Sequence, residues 1–377
     1  MAEPLKNSFG PNVVASIGAD IAAVYPTFDL DRFLTVALDG FDELELTPRA
    51  RQVAEALAPT LPSDHTEAMK ILQASLGSVR PETMEGFRYL PHSYFVAEHG
   101  LDDFETAMSL QEDITKQFTS EFSIRAFYEH HPEATLARAR VWAADEDEHL
   151  RRLASEGCRP RLPWAGRLQR FIDDPTEVIE LLELLRADDS EYVRRSVANN
   201  LNDIAKDHPG VVVEVTRRWM HEAAGTTAEV TRRSMVRHAL RTLIKAGDLD
   251  ALNVLGFGPE SPAELQSASV TPETVAIGDK VKVELMVANA SAEPAGALVD
   301  VIVHFVKADG STSPKVFKGK ELTVDPGGSA VVNKTISLAQ HSTRKHYVGE
   351  HQLEIQLNGA AMPGPAFTLI DSSDSSS

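Results

Sequence analysis

The chain has 377 residues, 42% hydrophobic and 25% charged, a length for two or three domains and too much apolar content for wholesale disorder. No apolar run approaches the roughly 20 residues of a membrane-crossing helix, and the N-terminus has no basic, apolar leader pattern. Cys158 is the one cysteine, so an intrachain disulfide and a thiolate-rich metal site are excluded, and the expected compartment is the cytoplasm.

The formal charge of −19 argues at first against a polyanionic partner. The acid is unevenly spread, however: residues 1–120 sum to −11, residues 251–377 to −5, and residues 121–250 to only −3. That middle section holds 18 of the 24 arginines, and its stretch 157–172 carries Arg159, Arg161, Arg167 and Arg170 with no acidic residue.

Up to residue 258 the apolar residues recur at helical spacing, as in Val178, Ile179, Leu181, Leu182 and Leu185, with breaks at Pro132, Pro175, Pro209 and Gly247. An internal repeat is visible. His131-Pro132 and His208-Pro209 are each followed, ten residues after the proline, by Trp142 and Trp219, an offset of 77. Arg151-Arg152, Arg194-Arg195 and Arg232-Arg233 recur at spacings of 43 and 38. A period near 40 built from two helices predicts a HEAT-like solenoid over residues 1–258, with one helix of each pair lining a concave face. Stacked arginines there would make a groove for an extended polyanion, duplex DNA above all. Trp142 and Trp219, at equivalent repeat positions, are expected in the core.

Asp145-Glu146-Asp147-Glu148 reads as a helix start rather than a metal cluster, because acidic residues in the first turn suit the helix dipole. His149, His221 and His238 show no paired ligand spacing, and no HExxH, phosphate-loop or dinucleotide glycine motif occurs, so no metal or nucleotide cofactor is expected. Cys158 reads as a small packed residue.

Beyond a Pro-, Ser- and Glu-rich linker, short Val- and Ile-rich segments alternate at 281–287, 297–307, 329–338 and 351–357, separated by turns such as Asp309-Gly310. About seven strands over residues 266–370 predict an immunoglobulin-like sandwich held by packing alone. Residues 371–377, Ser and Asp only, read as a disordered tail. Lys315, Lys318 and Lys320 form a small basic loop in this acidic region, a second DNA contact or a solvated hairpin.

Three segments stand out: Ser120-Glu121-Phe122-Ser123-Ile124-Arg125; the run 147–164, which ends Gly157-Cys158-Arg159-Pro160-Arg161-Leu162-Pro163-Trp164; and the run 193–209, which contains Asn199-Asn200-Leu201-Asn202-Asp203. Together they resemble the AlkC branch of the AlkC/AlkD DNA alkylation-repair glycosylases over about residues 10–258, and an immunoglobulin-like extension also occurs in one group of that branch. Ala126, Asp147 and Asn200 depart from the family pattern, which reads Pro, Asn and His there. The resemblance implies a monofunctional glycosylase that excises cationic bases, N3-methyladenine and N3-methylcytosine, from duplex DNA. It further implies a bacterial base-excision-repair enzyme at the nucleoid, without cofactor or membrane partner. A monomer is expected, as no dimer symmetry element is apparent.

The resemblance places Glu121, Glu156, Asp203 and Trp164 at the reaction. Glu121 lies among Phe118, Phe122 and Ile124, where burial of a charge is costly without a partner, and its plain structural reading is an ion pair with Arg125 four residues on. Glu156 precedes Gly157 at a helix C-terminus, where its charge opposes the dipole. Asp203 lies in a polar cluster and could equally bond the inter-helix turn. Trp164, flanked by Pro163 and arginines, is expected to face the groove. Arg152, Arg159, Arg161, Arg194 and Arg232, with Lys315 and Lys318, are the expected phosphate contacts, although one arginine of each pair can instead be structural. Without the resemblance, a non-catalytic helical adaptor for DNA or an acidic peptide would be the reading.

Overall fold

The computed structural model describes residues 4–78, 80–81, 83–258, 261–340 and 345–371, so the expected tail lies, past Asp371, outside the described residues. The chain divides into two compact units, residues 1–208 and 209–377. The first is helical: α1 (Pro11–Val24), α2 (Leu30–Ala37), α3 (Leu46–Leu57), α4 (His65–Ala74), α5 (Leu90–His99), α6 (Phe104–Gln117), α7 (Ile124–His130), α8 (Pro132–Trp142), α9 (Glu148–Gly157), α10 (Gln169–Asp173), α11 (Thr176–Leu185) and α12 (Glu191–Ile204). No helix among the described residues is long and apolar enough to cross a membrane.

Local chemistry explains the helix boundaries. Asp147 caps α9, its carboxylate accepting from the His149 backbone N–H at 2.7 Å, so the acidic run is a helix start as expected. Pro132 opens α8 with the φ a first turn requires, and the preceding His131 ring meets the Leu101 carbonyl at 2.9 Å. The His208 ring meets the Ile172 carbonyl in the same way, at 2.7 Å. Trp142 and Trp219 are fully buried core residues.

The first member of each arginine pair is structural. Arg151 donates to the Asp145 and Glu146 carbonyls and forks onto Asp188 at 2.7 and 3.1 Å. Arg194 donates to the Asp188 and Asp189 carbonyls at 2.6 and 2.7 Å. Helices α9 and α12 meet through small polar groups: Ser155 Oγ and Ser196 Oγ lie 3.0 Å apart, and Asn200 Nδ2 donates to the Ser155 carbonyl at 2.8 Å.

The second unit begins with α13 (Pro209–Ala223), α14 (Glu229–Ala239), α15 (Arg241–Ala246) and α16 (Leu249–Val254). Eight strands follow: β1 (Ala263–Thr271), β2 (Thr274–Ala276), β3 (Lys280–Asn289), β4 (Ala295–Val306), β5 (Thr312–Val324), β6 (Ser329–Ser337), β7 (Gly349–Leu357) and β8 (Ala360–Ile370). They form two sheets, β1-β3-β6 and β2-β8-β7-β4-β5, around a Val-, Leu- and Ile-rich core. The sequence pattern misses β2, which is three residues long and too short for alternation to register. Strand β3 alternates buried and exposed, whereas β4 is buried on both faces. One face of β4 fills the sandwich, and Leu298 and Asp300 on the other lie with Arg237, Arg241 and Ile244. Glu321 of β5 ties α14 to this sheet, pairing with Arg233 at 3.2 Å and with Arg237. The change of composition near residue 260 therefore marks the change from helix to strand, while cohesion divides the chain earlier.

Candidate active site

Five segments, 80–87, 117–122, α9, the loop after α9 and the first turn of α12, converge on a cleft of about 430 Å³ in the first unit. The turn between α6 and α7 is held from below: buried Ser120 and Ser123 donate to the Gln111 carbonyl and to Gln111 Oε1, both at 2.8 Å. That anchoring presents Glu121 to the cleft. Arg152 and Glu156, one turn apart on α9, supply the floor, and Phe87, Phe118, Phe122 and Leu162 supply apolar walls.

The loop after α9 carries Trp164. Buried Arg125 holds this loop by donating to the carbonyls of Gly157, Arg159 and Gly166, and Leu168 N–H closes it onto the Pro160 carbonyl at 3.1 Å. Trp164 is 73% exposed with φ +64°. A left-handed backbone costs a side-chain-bearing residue on the order of 1–2 kcal/mol, and an indole left in water offsets little of it. Such a residue contributes little to folding and is free to meet a ligand.

The acidic residues form one chain of ion pairs. Glu121 Oε2 lies 2.5 Å from Arg152 Nη1, Arg152 Nη2 lies 3.5 Å from Glu156 Oε1, and that same oxygen lies 2.6 Å from Arg159 Nη1. Arg159 reaches on to Asp203 at 2.8 Å, whose other oxygen meets Lys206 at 2.9 Å. Ser196 Oγ donates to Glu156 Oε2 at 2.6 Å. Burial alone would pull both guanidinium groups down, but Glu121 and Glu156 hold Arg152, and Glu156 and Asp203 hold Arg159, above the ordinary arginine value. Three carboxylates and three cations balance, so with every pair closed the cluster carries no net charge.

This arrangement corrects several expectations. Glu121 pairs with Arg152 rather than Arg125, because the turn that holds Glu121 is not helical and Arg125 is spent on backbone carbonyls. Asp203 is buried behind Arg159 instead of lining the cleft. Arg159 and Arg232, 7% and 6% exposed, are buried rather than presented to solvent as phosphate contacts, although Arg159 borders the cleft. Arg159 is locked between two carboxylates, and Arg232, in the second unit, lies over the Trp219 ring at 5.7 Å. Arg161 forks onto Asp207 at 2.7 and 2.9 Å, and half-exposed Arg194 is held by carbonyls, so each would reach a phosphate only by giving up those partners. On the edge strand β5, half-buried Lys315 lies over Phe317 at 5.2 Å, and Lys318 is exposed.

Sequence reasoning missed Tyr192, whose ring lines the cleft with Arg152 Cζ 5.4 Å above it. The spacing of Tyr192, Ser196, Asn199 and Asp203 on one face of α12 is the signal that points to it. It also passed over Arg167 and Arg195, which are exposed and make no ion pair among the described residues. Cys158 is a packed core residue as expected, its thiol pushed up to about 12 by burial. A larger cleft, about 920 Å³, lies between α1 and the segment around Arg88; it shares only Arg80 and Pro81 with the site and gathers no comparable set of carboxylates and aromatic faces.

Residues 47–243 match the model of the family described as DNA alkylation repair enzyme. The chain belongs to the DNA alkylation repair enzyme family. Residues 264–371 match the C-terminal Ig-like domain of the uncharacterised protein YhaZ. The YhaZ protein of Bacillus subtilis (strain 168) is 34% identical over 359 residues, covering 94% of this chain and 96% of the relative. Among solved structures, the alkylpurine DNA glycosylase AlkC of Pseudomonas fluorescens, bound to DNA containing an abasic site analogue, superposes with a TM-score of 0.85 at 35% identity, over 98% of this chain and all of that one. The protein is thus an AlkC-type alkylation-repair chain with a C-terminal Ig-like domain, and the cleft lies inside the part that matches the repair-enzyme model.

Proposed function

We propose that this AlkC-type chain is a DNA glycosylase that excises cationic N-alkylated bases, N3-methyladenine and N3-methylcytosine, from duplex DNA by simple hydrolysis of the N-glycosyl bond. The observation that carries the reading is the convergence of Glu121, Glu156 and Trp164, from three separate segments, on one cleft. The glycosylase activity and DNA-bound state of the Pseudomonas relative support it.

The chemistry suits these groups. Alkylation of a ring nitrogen gives the base a positive charge and makes it a ready leaving group, so no general acid is needed. Charge then passes to an oxocarbenium-like sugar. Carboxylates stabilise that charge and orient water, and an indole face adds about 0.5–2 kcal/mol for a cation. In this reading Glu121 and Glu156 face the nucleoside, Trp164 stacks beside it, and Asp203 acts through Arg159. The duplex runs along a HEAT-like helical domain, residues 1–258, with the sandwich, residues 266–370, appended. Arg167 and Arg195 take phosphates first, Arg161 and Arg194 second, and Lys315 and Lys318 offer a further contact.

The test is base release from dimethyl-sulfate-treated duplex. Wild type releases base without cutting the strand. Glu156→Gln and Glu121→Gln lose about 100-fold or more while still binding DNA, and Asp203→Asn loses about tenfold. A wild type that binds but releases nothing would return the chain to the adaptor class.

A further inference from the structure

We infer that Arg152 is a resident counter-ion of the cleft, displaced from Glu121 by a cationic nucleoside and not by a neutral one, and that it thereby sets the specificity of the site. This rests on the glycosylase reading above and deepens it.

Arg152 and Arg159 are both paired with glutamate, but they are held differently. Arg159 is buried and bridges two carboxylates on separate helices at 2.6 and 2.8 Å. Arg152 is half-buried and lines the cleft itself. Its link to Glu156, at 3.5 Å, duplicates what Arg159 and Ser196 already provide at 2.6 Å each. Its link to Glu121 is different in kind. Apart from the Thr119 hydroxyl at 3.0 Å, no other described group binds the Glu121 carboxylate. Moving Arg152 away therefore leaves Glu156 held and turns Glu121 into an uncompensated negative charge facing the cleft.

The guanidinium carbon already lies 5.4 Å above the Tyr192 ring while it pairs with Glu121, so the aromatic face steadies the cation whether or not that pair is closed. With Arg152 seated, the cluster has no net charge with which to attract an incoming cation. With Arg152 moved off Glu121, that carboxylate is open. A cationic lesion or an oxocarbenium sugar repays the lost ion pair, whereas an undamaged nucleoside brings no charge to the exchange. The cation gains Glu121 only after repaying the ion pair it breaks, so Arg152 lowers the preference of the site for a cation by that cost, and removing Arg152 raises it.

The experiment compares the affinity of the full chain for two duplexes, one with a cationic pyrrolidine abasic analogue and one with the neutral tetrahydrofuran analogue. In Arg152→Gln the permanent vacancy at Glu121 should tighten the pyrrolidine duplex relative to the tetrahydrofuran duplex by about tenfold or more beyond the wild-type ratio, as expected for a unit charge removed within several ångströms. Arg152→Lys, which keeps the charge but lacks the fork onto Glu156, should raise the ratio by only about threefold. If both duplexes weaken equally and the salt slope falls by about one, Arg152 is a phosphate contact and the inference is overturned. Equal affinities with a lowered melting temperature overturn it too, in favour of a scaffold role. Failure of the underlying reading is separable: a wild type that releases no base refutes the glycosylase, while intact release with an unchanged ratio in both variants refutes only the counter-ion.

Discussion

Arg151-Arg152 on α9 and Arg194-Arg195 on α12 are the same dipeptide at corresponding places in two helical segments, and only half of what they do is the same. The first arginine of each pair turns back onto two carbonyls of the acidic turn before its own helix, Asp145 and Glu146 in one case and Asp188 and Asp189 in the other. The second arginines part company. One turn beyond Arg152 stands Glu156, and Glu121 approaches from another segment, so Arg152 is drawn into the cleft. One turn beyond Arg195 stands Asn199, which carries no charge, and Arg195 is left exposed. The shared sequence pattern predicts scaffolding well. The second arginine depends on what each helix meets outside itself.

The interior keeps a charge only beside its opposite, and His92 probes that rule with the largest expected effect. It is buried on α5 near Arg88; burial first and Arg88 second hold its imidazole down to about 3. An unfolded chain protonates His92 near pH 6.5, whereas the folded chain does so only near 3. The stability conferred by neutral His92 is therefore complete above pH 6.5 and lost as pH falls toward 3, up to ~4 kcal/mol over that window. Denaturant melts of wild type and His92→Gln across it should diverge, the variant having the flatter profile. Parallel profiles would break the rule on which the comparison stands.

A smaller effect separates the two first arginines. Arg151→Met leaves Asp188, a mostly buried carboxylate, with only the Ser190 N–H at 2.9 Å, and should cost about 2 kcal/mol in thermal or denaturant melts. Arg194→Met removes bonds to carbonyls only and should cost about 1 kcal/mol. Equal losses would mean that the carboxylate adds nothing.

The smallest effect belongs to Arg195. Arg195→Ala should leave melting unchanged and lower the salt slope of DNA binding by about one. Asn199→Glu, which supplies the partner one turn on that Arg152 already has, should mimic that loss by drawing the guanidinium away. A slope unchanged in both would remove Arg195 from the interface.

Much of the architecture was legible in the amino-acid order because it depends on local rules. Helix starts at Pro132 and Asp147, the buried Trp142 and Trp219, and the strands β3, β4, β6 and β7 all follow from periodicity, capping and turn residues within a dozen positions. Glu121, Glu156 and Trp164, which line the cleft, were singled out by the family resemblance of three segments. Partners were not. Arg159 and Asp203 stand 44 positions apart and meet at 2.8 Å, and nothing local marks Asp203 as that arginine's second partner. Charge acts through space and its cost depends on burial, so which cation stays in solvent and which neutralises a carboxylate was decided only when the helices packed.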